Sequence, residues 1–523
     1  MLDVLFFQVK SLYFPKISPW IFTGLFLLMA FQYDYDRILF EPPQSIHQWR
    51  QADCLSLTMN YYQDGNPFFQ PSMHYLGIDG TGKTVSEFPI LYYLVGKIWT
   101  ITGKEVWVYR LMVLLLFLIG LLALMKTIEV EIENSVAGIF VGLLLFTSPV
   151  LVYYGGNFLM NIPAFSFACL GLYQFFKFKA SGMHRHLGLL LFFFTLAGLL
   201  KVSALLSFVA ICLVYLIDVM RLRSKHHRIF QGTWKEGLGL LSVFVISYMW
   251  VRYAQGYNAQ HTGGIFLIGI LPIWDLSYET IAKTYEYVAD RFIWDYFMPY
   301  IEKFLAICAI IVLIFYRGIE SSVRFIFGMM CIGALAFIVL FFEALMHHDY
   351  YIIDLYMLVP ILLLATFMVV KAKVPLLYRS WILVGFLIWM TVRSFQFAQD
   401  RLYERYDFQG WRNHDHREVF HAFTELEPTL QKLGIEPDDR VLSLSDYSIN
   451  ITLYLMNRKG WTDYGISMDP ERIKDKIKLG AQYLFIANPR TYEHESVQPF
   501  IHGKIGHYRN IDIYRLNEID FYR

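Results

Sequence analysis

Long apolar runs alternate with short polar segments through most of this chain, and the pattern changes only near residue 395. A helix needs about 20 apolar residues to cross a bilayer. Runs of roughly that length fall at residues 18–33, 106–128, 135–154, 164–178, 187–201, 203–220, 236–252, 301–316, 325–345, 353–370 and 380–394. The pattern predicts about eleven transmembrane helices. Residues 187–220 are the tightest stretch, short enough to be one long tilted helix or two short crossings.

Loop charge decides between those two readings, because Lys and Arg accumulate on the cytoplasmic side. With two crossings in 187–220, four loops fall on one side, and all four are basic. They hold Lys177, Lys179 and Arg185; Arg221, Arg223, Lys225 and Arg228; Arg317 and Arg324; and Lys371, Lys373 and Arg379. Alternation then places loops 35–105, 155–163, 253–300 and 346–352, with everything after about 395, on the extracytoplasmic side. Two outer stretches, 88–102 and 274–292, are aromatic and too interrupted to span, which suits interfacial helices.

Beyond Arg393 the chain reads as a soluble α/β unit. Residues 440–446 and 481–488 look like buried strands, with a helical stretch at 468–479 between them and a last strand at 511–516. Two regions are therefore expected: a transmembrane region, 1–394, carrying the outer loops 35–105 and 253–300, and an extracytoplasmic α/β domain, 395–523.

Composition supports the membrane reading. Of 523 residues, 56% are hydrophobic, 18% aromatic and only 17% charged, too apolar for a soluble enzyme of this length. The net charge of +1, spread over many loops, gives no basic face for nucleic acid. Cys169, Cys212, Cys308 and Cys331 sit in apolar runs and Cys54 in a polar loop, so no disulfide framework is implied. Lys10 and Lys16 precede the first apolar run without a small-residue cleavage site, which reads as a retained signal anchor.

One polar block stands out against this background. HQWRQAD, His47 to Asp53, packs an imidazole, an indole, a guanidinium, two amides and a carboxylate into one stretch, and SEFPILYY, Ser86 to Tyr93, closes the same loop. Lys201 lies between two apolar runs, where a charge is costly and is either functional or snorkelling to the interface.

Several ordered motifs resemble one family, the GT-C membrane glycosyltransferases that use polyprenyl-phosphate sugars. The resemblance is to the branch of bacterial relatives of protein O-mannosyltransferases and the lipid A aminoarabinose transferase (glycosyltransferase family 39-like). They are HQWRQAD ending in Asp53; EFPILYYLVGKIWTITG with Glu87, followed by VWVYRL with Arg110; YYGGNFLMNIPAF, Tyr153 to Phe165; LAGLLKVSAL with Lys201; and HHDYY, His347 to Tyr351. The match covers roughly residues 18–370. It implies a GT-C-like polytopic α-helical fold, a multi-pass location in the bacterial cytoplasmic membrane, and an active site on the extracytoplasmic side. Where many relatives place a second acidic residue in the 155–163 loop, this chain has Asn161, which hydrogen-bonds but is not a base.

The implied reaction moves a sugar from a polyprenyl phosphate to a hydroxyl of a lipid, glycan or protein. It needs a base, cationic groups for the leaving phosphate and an apolar groove. Asp53 is the expected base, with Glu87 in reserve or orienting the acceptor. Arg50, Lys201 and His348 are expected at the phosphate, with His47, Tyr350 and Asn161 as further substrate-binding candidates. No cofactor is demanded, and a divalent metal is left open. The rival readings are a lipid or polysaccharide transporter and a catalytically degenerate binding protein of the same fold. No internal repeat supports the transporter.

Overall fold

Helices form at each of the eleven predicted runs in the computed structural model, which describes residues 12–222, 228–261, 266 and 269–516. Lys10, Arg223 and Lys225 of the charge argument lie outside those residues. The count of eleven crossings is not confirmed. Among the described residues, six helices are long and apolar enough to cross a membrane, or up to seven when a bent pair counts as one span. The predicted span at 135–154 is that pair, Ser135–Leu145 and Pro149–Gly155, bent by 77°. Pro149 opens the second helix and Ser148 caps it through Leu151 N–H, so the backbone turns where hydropathy alone sees one run. Ser18–Gln32 and His184–Leu200 are apolar but short.

Contacts gather the chain into two compact units. Unit one comprises Met1–Leu39, Arg110–Trp250 and Gly269–Leu402. Its core is aromatic: Phe26 stacks on Phe146 with ring centroids 4.0 Å apart, and Tyr33 donates to the Phe146 carbonyl. The opposite side of the first helix leaves Trp20, Leu27, Leu28 and Phe31 exposed, as expected of a surface that meets lipid. Asp349–Lys373 is the central segment, 72% buried over its apolar window, against 22% for Ser321–Leu340. Gly155 and Gly156 are required by close approach, since a β-carbon at Gly156 would lie 2.6 Å from the Tyr35 ring.

Unit two comprises Phe40–Tyr109, Val251–Ile268 and Tyr403–Arg523. The polar block forms the helix Gln48–Gln63, and the predicted interfacial stretch forms the helix Ile90–Thr102. These two helices pack closely at Gly96, where a β-carbon would come within 2.9 Å of the Thr58 carbonyl. The C-terminal residues build a five-stranded sheet of order β2-β1-β3-β5-β4. Its strands are β1 (Arg440–Ser443), β2 (Gly460–Thr462), β3 (Ala481–Ile486), β4 (Lys504–Tyr508) and β5 (Ile511–Arg515). β1 is parallel to β2 and β3, and β5 is antiparallel to β3 and β4. The predicted helix appears as Pro470–Lys478, with Asp469 capping its N-terminus and Lys476 and Lys478 in its last turn.

The loop before the second outer helix joins this sheet. Leu76 N–H donates to the Gly460 carbonyl, Gly460 N–H donates to the His74 carbonyl, and buried Trp461 donates to the Gly77 carbonyl. Gly460 leaves no room for a side chain, because a β-carbon there would sit 1.8 Å from the Val441 carbonyl oxygen. Gly460→Ala is expected to part β1 from β2 and destabilise unit two by about 1–3 kcal/mol. Thermal unfolding of the purified protein reads this directly, and an unchanged midpoint would refute it.

Candidate functional site

In unit two, the chain enters the Gln48–Gln63 helix through two left-handed residues, Ser45 at φ 65° and His47 at φ 58°. Such backbone is costly for residues with a β-carbon and persists where surroundings impose it. Gln51 fixes the entry by donating to the carbonyls of Gln44 (2.7 Å) and Ile46 (3.1 Å). Gln48 lies 2.9 Å from His416 Nδ1, whose ring burial pulls down to about 4 and so keeps neutral near pH 7. Trp49 is 42% exposed, with its ring 5.8 Å from that of Tyr464.

One helical turn later the charged residues converge. Arg50 Nη2 donates to both Glu87 oxygens at 2.7 and 2.6 Å and to Ser86 Oγ at 2.6 Å. Tyr92 donates to Glu87 Oε2 at 3.0 Å. Arg50 Nη1 faces Asp53 Oδ2 at 3.6 Å, is buried, and makes no hydrogen bond. The helix spacing i, i+3 brings Arg50 and Asp53 to one face. Asn258 holds the Glu87 segment by pairing with both the N–H and the carbonyl of Val85.

Asp53 is buried. Burial pushes its carboxyl up from the ordinary range to about 6, against the opposing pull of the Arg50 charge and a hydrogen bond from Asn450. A carboxylate with that affinity is ionised near pH 7 and still basic enough to accept a proton. Cys54 is buried with its Sγ 3.5 Å from Tyr92 Oη, and burial pushes its thiol up to about 12, so it is no nucleophile.

Unit one positions the other candidates. Lys201 occupies the break between His184–Leu200 and the 3₁₀ turn Val202–Leu205, in extended backbone at φ −149° and ψ 118°. The predicted pair at 187–220 is thus two helices meeting at this lysine. Ser203 Oγ, two residues on, donates to Asp354 Oδ2 at 2.5 Å, and the Lys201 charge acts on the same carboxylate. His348 lies between the short helix Ala344–His347 and the 3₁₀ segment Asp349–Met357, its ring 5.1 Å from Tyr350 and 4.9 Å from Tyr351. Asn161 Nδ2 donates to the Tyr350 carbonyl at 3.3 Å, and Tyr154 donates to Asp349 Oδ1 at 2.6 Å. Arg110 donates to the Gly156 carbonyl at 2.7 Å with its guanidinium over Phe158.

The segment Asp349–Met357 therefore connects the candidates of this unit: Tyr350 meets Asn161 and His348 at its start, and Asp354 meets Ser203 and the Lys201 charge further along. Leu355 and Tyr356 continue into the wall of an apolar cavity of about 560 Å³, lined also by Phe297, Leu305, Ile338 and Phe342. In unit two the structure groups Arg50, Asp53 and Glu87, with His47 at the helix entry.

Asn450, Asp349 and Asp354 are missing from the sequence-based expectations. Asp349 stands inside HHDYY, flanked by imidazole and aromatic rings. Asn450 carried no signal at all.

Among the described residues, no group of three or more His, Cys, Asp or Glu side chains is placed to hold a metal ion. The groups in polar contact with the Asp53 oxygens are a guanidinium and an amide N–H, donors that compete with a cation.

Residues 86–250 match the family described as dolichyl-phosphate-mannose-protein mannosyltransferase. That stretch holds Glu87, Arg110, Asn161 and Lys201. No curated protein sequence matches the chain significantly. Solved structures that share its fold include the following two. ArnT from Cupriavidus metallidurans, bound to undecaprenyl phosphate, aligns with TM-score 0.59 at 12% identity, over 95% of this chain and 97% of that one. The Archaeoglobus fulgidus oligosaccharyltransferase, in complex with Zn and sulfate, aligns with TM-score 0.51 at 12% identity, over 95% of this chain and 73% of that one. The fold is that of the GT-C membrane glycosyltransferases, related to the protein mannosyltransferases and ArnT, and the chain is a multi-pass membrane protein.

Proposed function

We propose that this protein transfers a sugar from a polyprenyl-phosphate donor to a hydroxyl acceptor, with inversion, at the extracytoplasmic face of the membrane. The observation that carries the reading is the buried Asp53, held between Arg50 and Asn450 with a carboxyl near 6. In the reaction the acceptor oxygen attacks the anomeric carbon and its proton passes to Asp53. The bond from that carbon to the phosphate oxygen breaks, and its electron pair leaves on the lipid phosphate.

Arg50 has a role of its own. Its Nη2 is held by Glu87, while the buried Nη1 still offers donor capacity beside Asp53. An anion formed as the donor departs is stabilised by such a preorganised donor. Glu87 then orients Arg50 and is the weaker candidate for base, because both its oxygens already accept from the guanidinium. Unit one, taken by itself, holds the candidates for lipid handling. The apolar cavity suits isoprenoid methylenes, and Lys201 and His348 are the phosphate candidates. Asn161 props the Tyr350 turn, a role that needs an amide and no carboxylate, so its presence does not argue for a degenerate enzyme.

The acceptor is a lipid, glycan or protein hydroxyl. The glycosyltransferase fold and the proton acceptor both favour transfer over transport.

Lys201→Ala is expected to weaken binding of undecaprenyl phosphate to the purified protein by about ten-fold or more, the scale of one charge-assisted contact, and to leave binding of undecaprenol unchanged. Equal affinities for the phosphate in wild type and variant would remove Lys201 from the donor site.

A further inference from the structure

The buried base has a partner that comes from the far end of the chain. Asn450 Nδ2 donates to Asp53 Oδ1 at 3.0 Å, and Asn450 Oδ1 accepts from Tyr75 N–H at 2.9 Å. The side chain is fully buried. Its two contacts fix which way the amide faces, since the oxygen is claimed by a backbone donor and only the NH₂ can point at the carboxylate.

The segment carrying Asn450 is itself held rigidly. Asn450 immediately precedes the helix Ile451–Met456. Just upstream, buried Asp446 accepts from Ser448 N–H (2.9 Å), Thr452 N–H (2.8 Å) and Thr452 Oγ1 (2.8 Å). Ser448 Oγ accepts from Ile451 N–H at 2.9 Å. The turn between β1 and this helix thus has its polar groups paired, and the amide is delivered in one orientation. A surface loop that merely touched the helix would not need such bracing.

We infer that Asn450 is a positioning residue for Asp53: the C-terminal domain completes the catalytic base by holding one carboxylate oxygen and leaving the other to receive the acceptor proton. This rests on the assignment of Asp53 as the base. It gives the C-terminal domain a part in the chemistry, separate from any role in choosing an acceptor.

The charged and titratable groups facing Asp53 are few. Arg50 and Cys54 lie on its own helix, Glu87 comes from the segment before Ile90–Thr102, and Tyr464 comes from the C-terminal domain. Asn450 differs from all of these in having no titratable group, and it hydrogen-bonds the carboxylate directly. It favours the ionised carboxylate, so removing it moves the Asp53 midpoint upwards.

Two variants separate positioning from architecture. Asn450→Leu loses both contacts. Asn450→Asp keeps an oxygen for Tyr75 N–H but sets a second carboxylate against Asp53, and like charges that close cannot both ionise. The readout is pH-difference infrared spectroscopy of the full-length protein in lipid nanodiscs, with the Asp53 carboxyl band identified by its loss in Asp53→Asn. Both variants should raise the midpoint, Asn450→Leu by about one pH unit and Asn450→Asp by more. A midpoint left in place by Asn450→Asp, in protein that unfolds at the wild-type temperature, would overturn the proposal and leave Asn450 a strut for Tyr75. The measurement needs no sugar donor. A shifted midpoint together with normal turnover in Asp53→Asn would therefore sink the base assignment alone.

Discussion

Asp53→Asn lowers sugar transfer by about 10²–10⁴-fold, the usual contribution of a positioned proton acceptor, and leaves the protein folded. Asparagine has the same size and can keep a hydrogen bond to Asn450 after its amide rotates, so the environment of the helix changes little. What disappears is the capacity to take a proton. In the wild-type protein the same group sets the pH dependence. Burial raises its carboxyl to about 6, so the ionised base is abundant above that value, and activity falls as pH drops through it. Asp53→Asn should abolish this acidic limb along with the rate. Residual turnover that kept the wild-type profile would move the base to another residue, with Glu87 first in line.

Arg50→Leu carries the second large effect, on stability. Arg50 compensates two buried carboxylates, Glu87 through two hydrogen bonds and Asp53 at 3.6 Å. Breaking a buried pair by removing one partner typically costs about 3–5 kcal/mol, because the remaining charge is left in a poor solvent. The loss should appear as a lower unfolding temperature. Adding Glu87→Gln to Arg50→Leu should restore part of it, since the stranded charge is then gone. If the single and double variants unfold together, the Arg50–Glu87 contact is not the source of the loss. Lysine is a poor substitute, because the guanidinium meets Glu87 through Nη2 and faces Asp53 through Nη1, a fork that a single ammonium does not provide.

Much of this organisation was legible in the sequence, and the gaps have physical causes. Hydropathy located a helix at every apolar run, but it is blind to breaks. Residues 146–148 bend one run by 77°, whereas the break at Lys201 was legible, because loop charge required two crossings there. The inner strands β1 and β3 stood out because strands buried on both faces read as continuous apolar runs. β2 is only three residues long, and β4 exposes Lys504, Ile505 and His507 at the sheet edge, so neither left a pattern to find. Asp53 and Arg50 stood in one dense polar block that the family resemblance also marked, and the helix face they share is a finding of the structure. Glu87 lay in the same loop. Asn450 is separated from Asp53 by 397 positions, and a hydrogen bond across that distance has no local trace in the chain.

The same logic explains unit one. Lys201 was conspicuous as a charge among apolar residues, whereas Asp354, on whose carboxylate that charge acts, sat inside a run that read as plain helix. A buried carboxylate in such a run is informative only once its partner is known. Asn161 is the converse case. It stood out as a departure from the family pattern, and the structure gives it ordinary work, a hydrogen bond to the Tyr350 carbonyl.

The central claim is sugar transfer from a polyprenyl-phosphate donor with Asp53 as base. Mass analysis of lipid-linked sugars and envelope glycans from cells carrying only Asp53→Asn, beside cells carrying the wild-type chain, tests it most directly. The account predicts that one polyprenyl-phosphate sugar accumulates and that one glycan, lipid or protein acceptor lacks that same sugar. Identical lipid-linked sugars and identical envelope glycans in the two strains would contradict it.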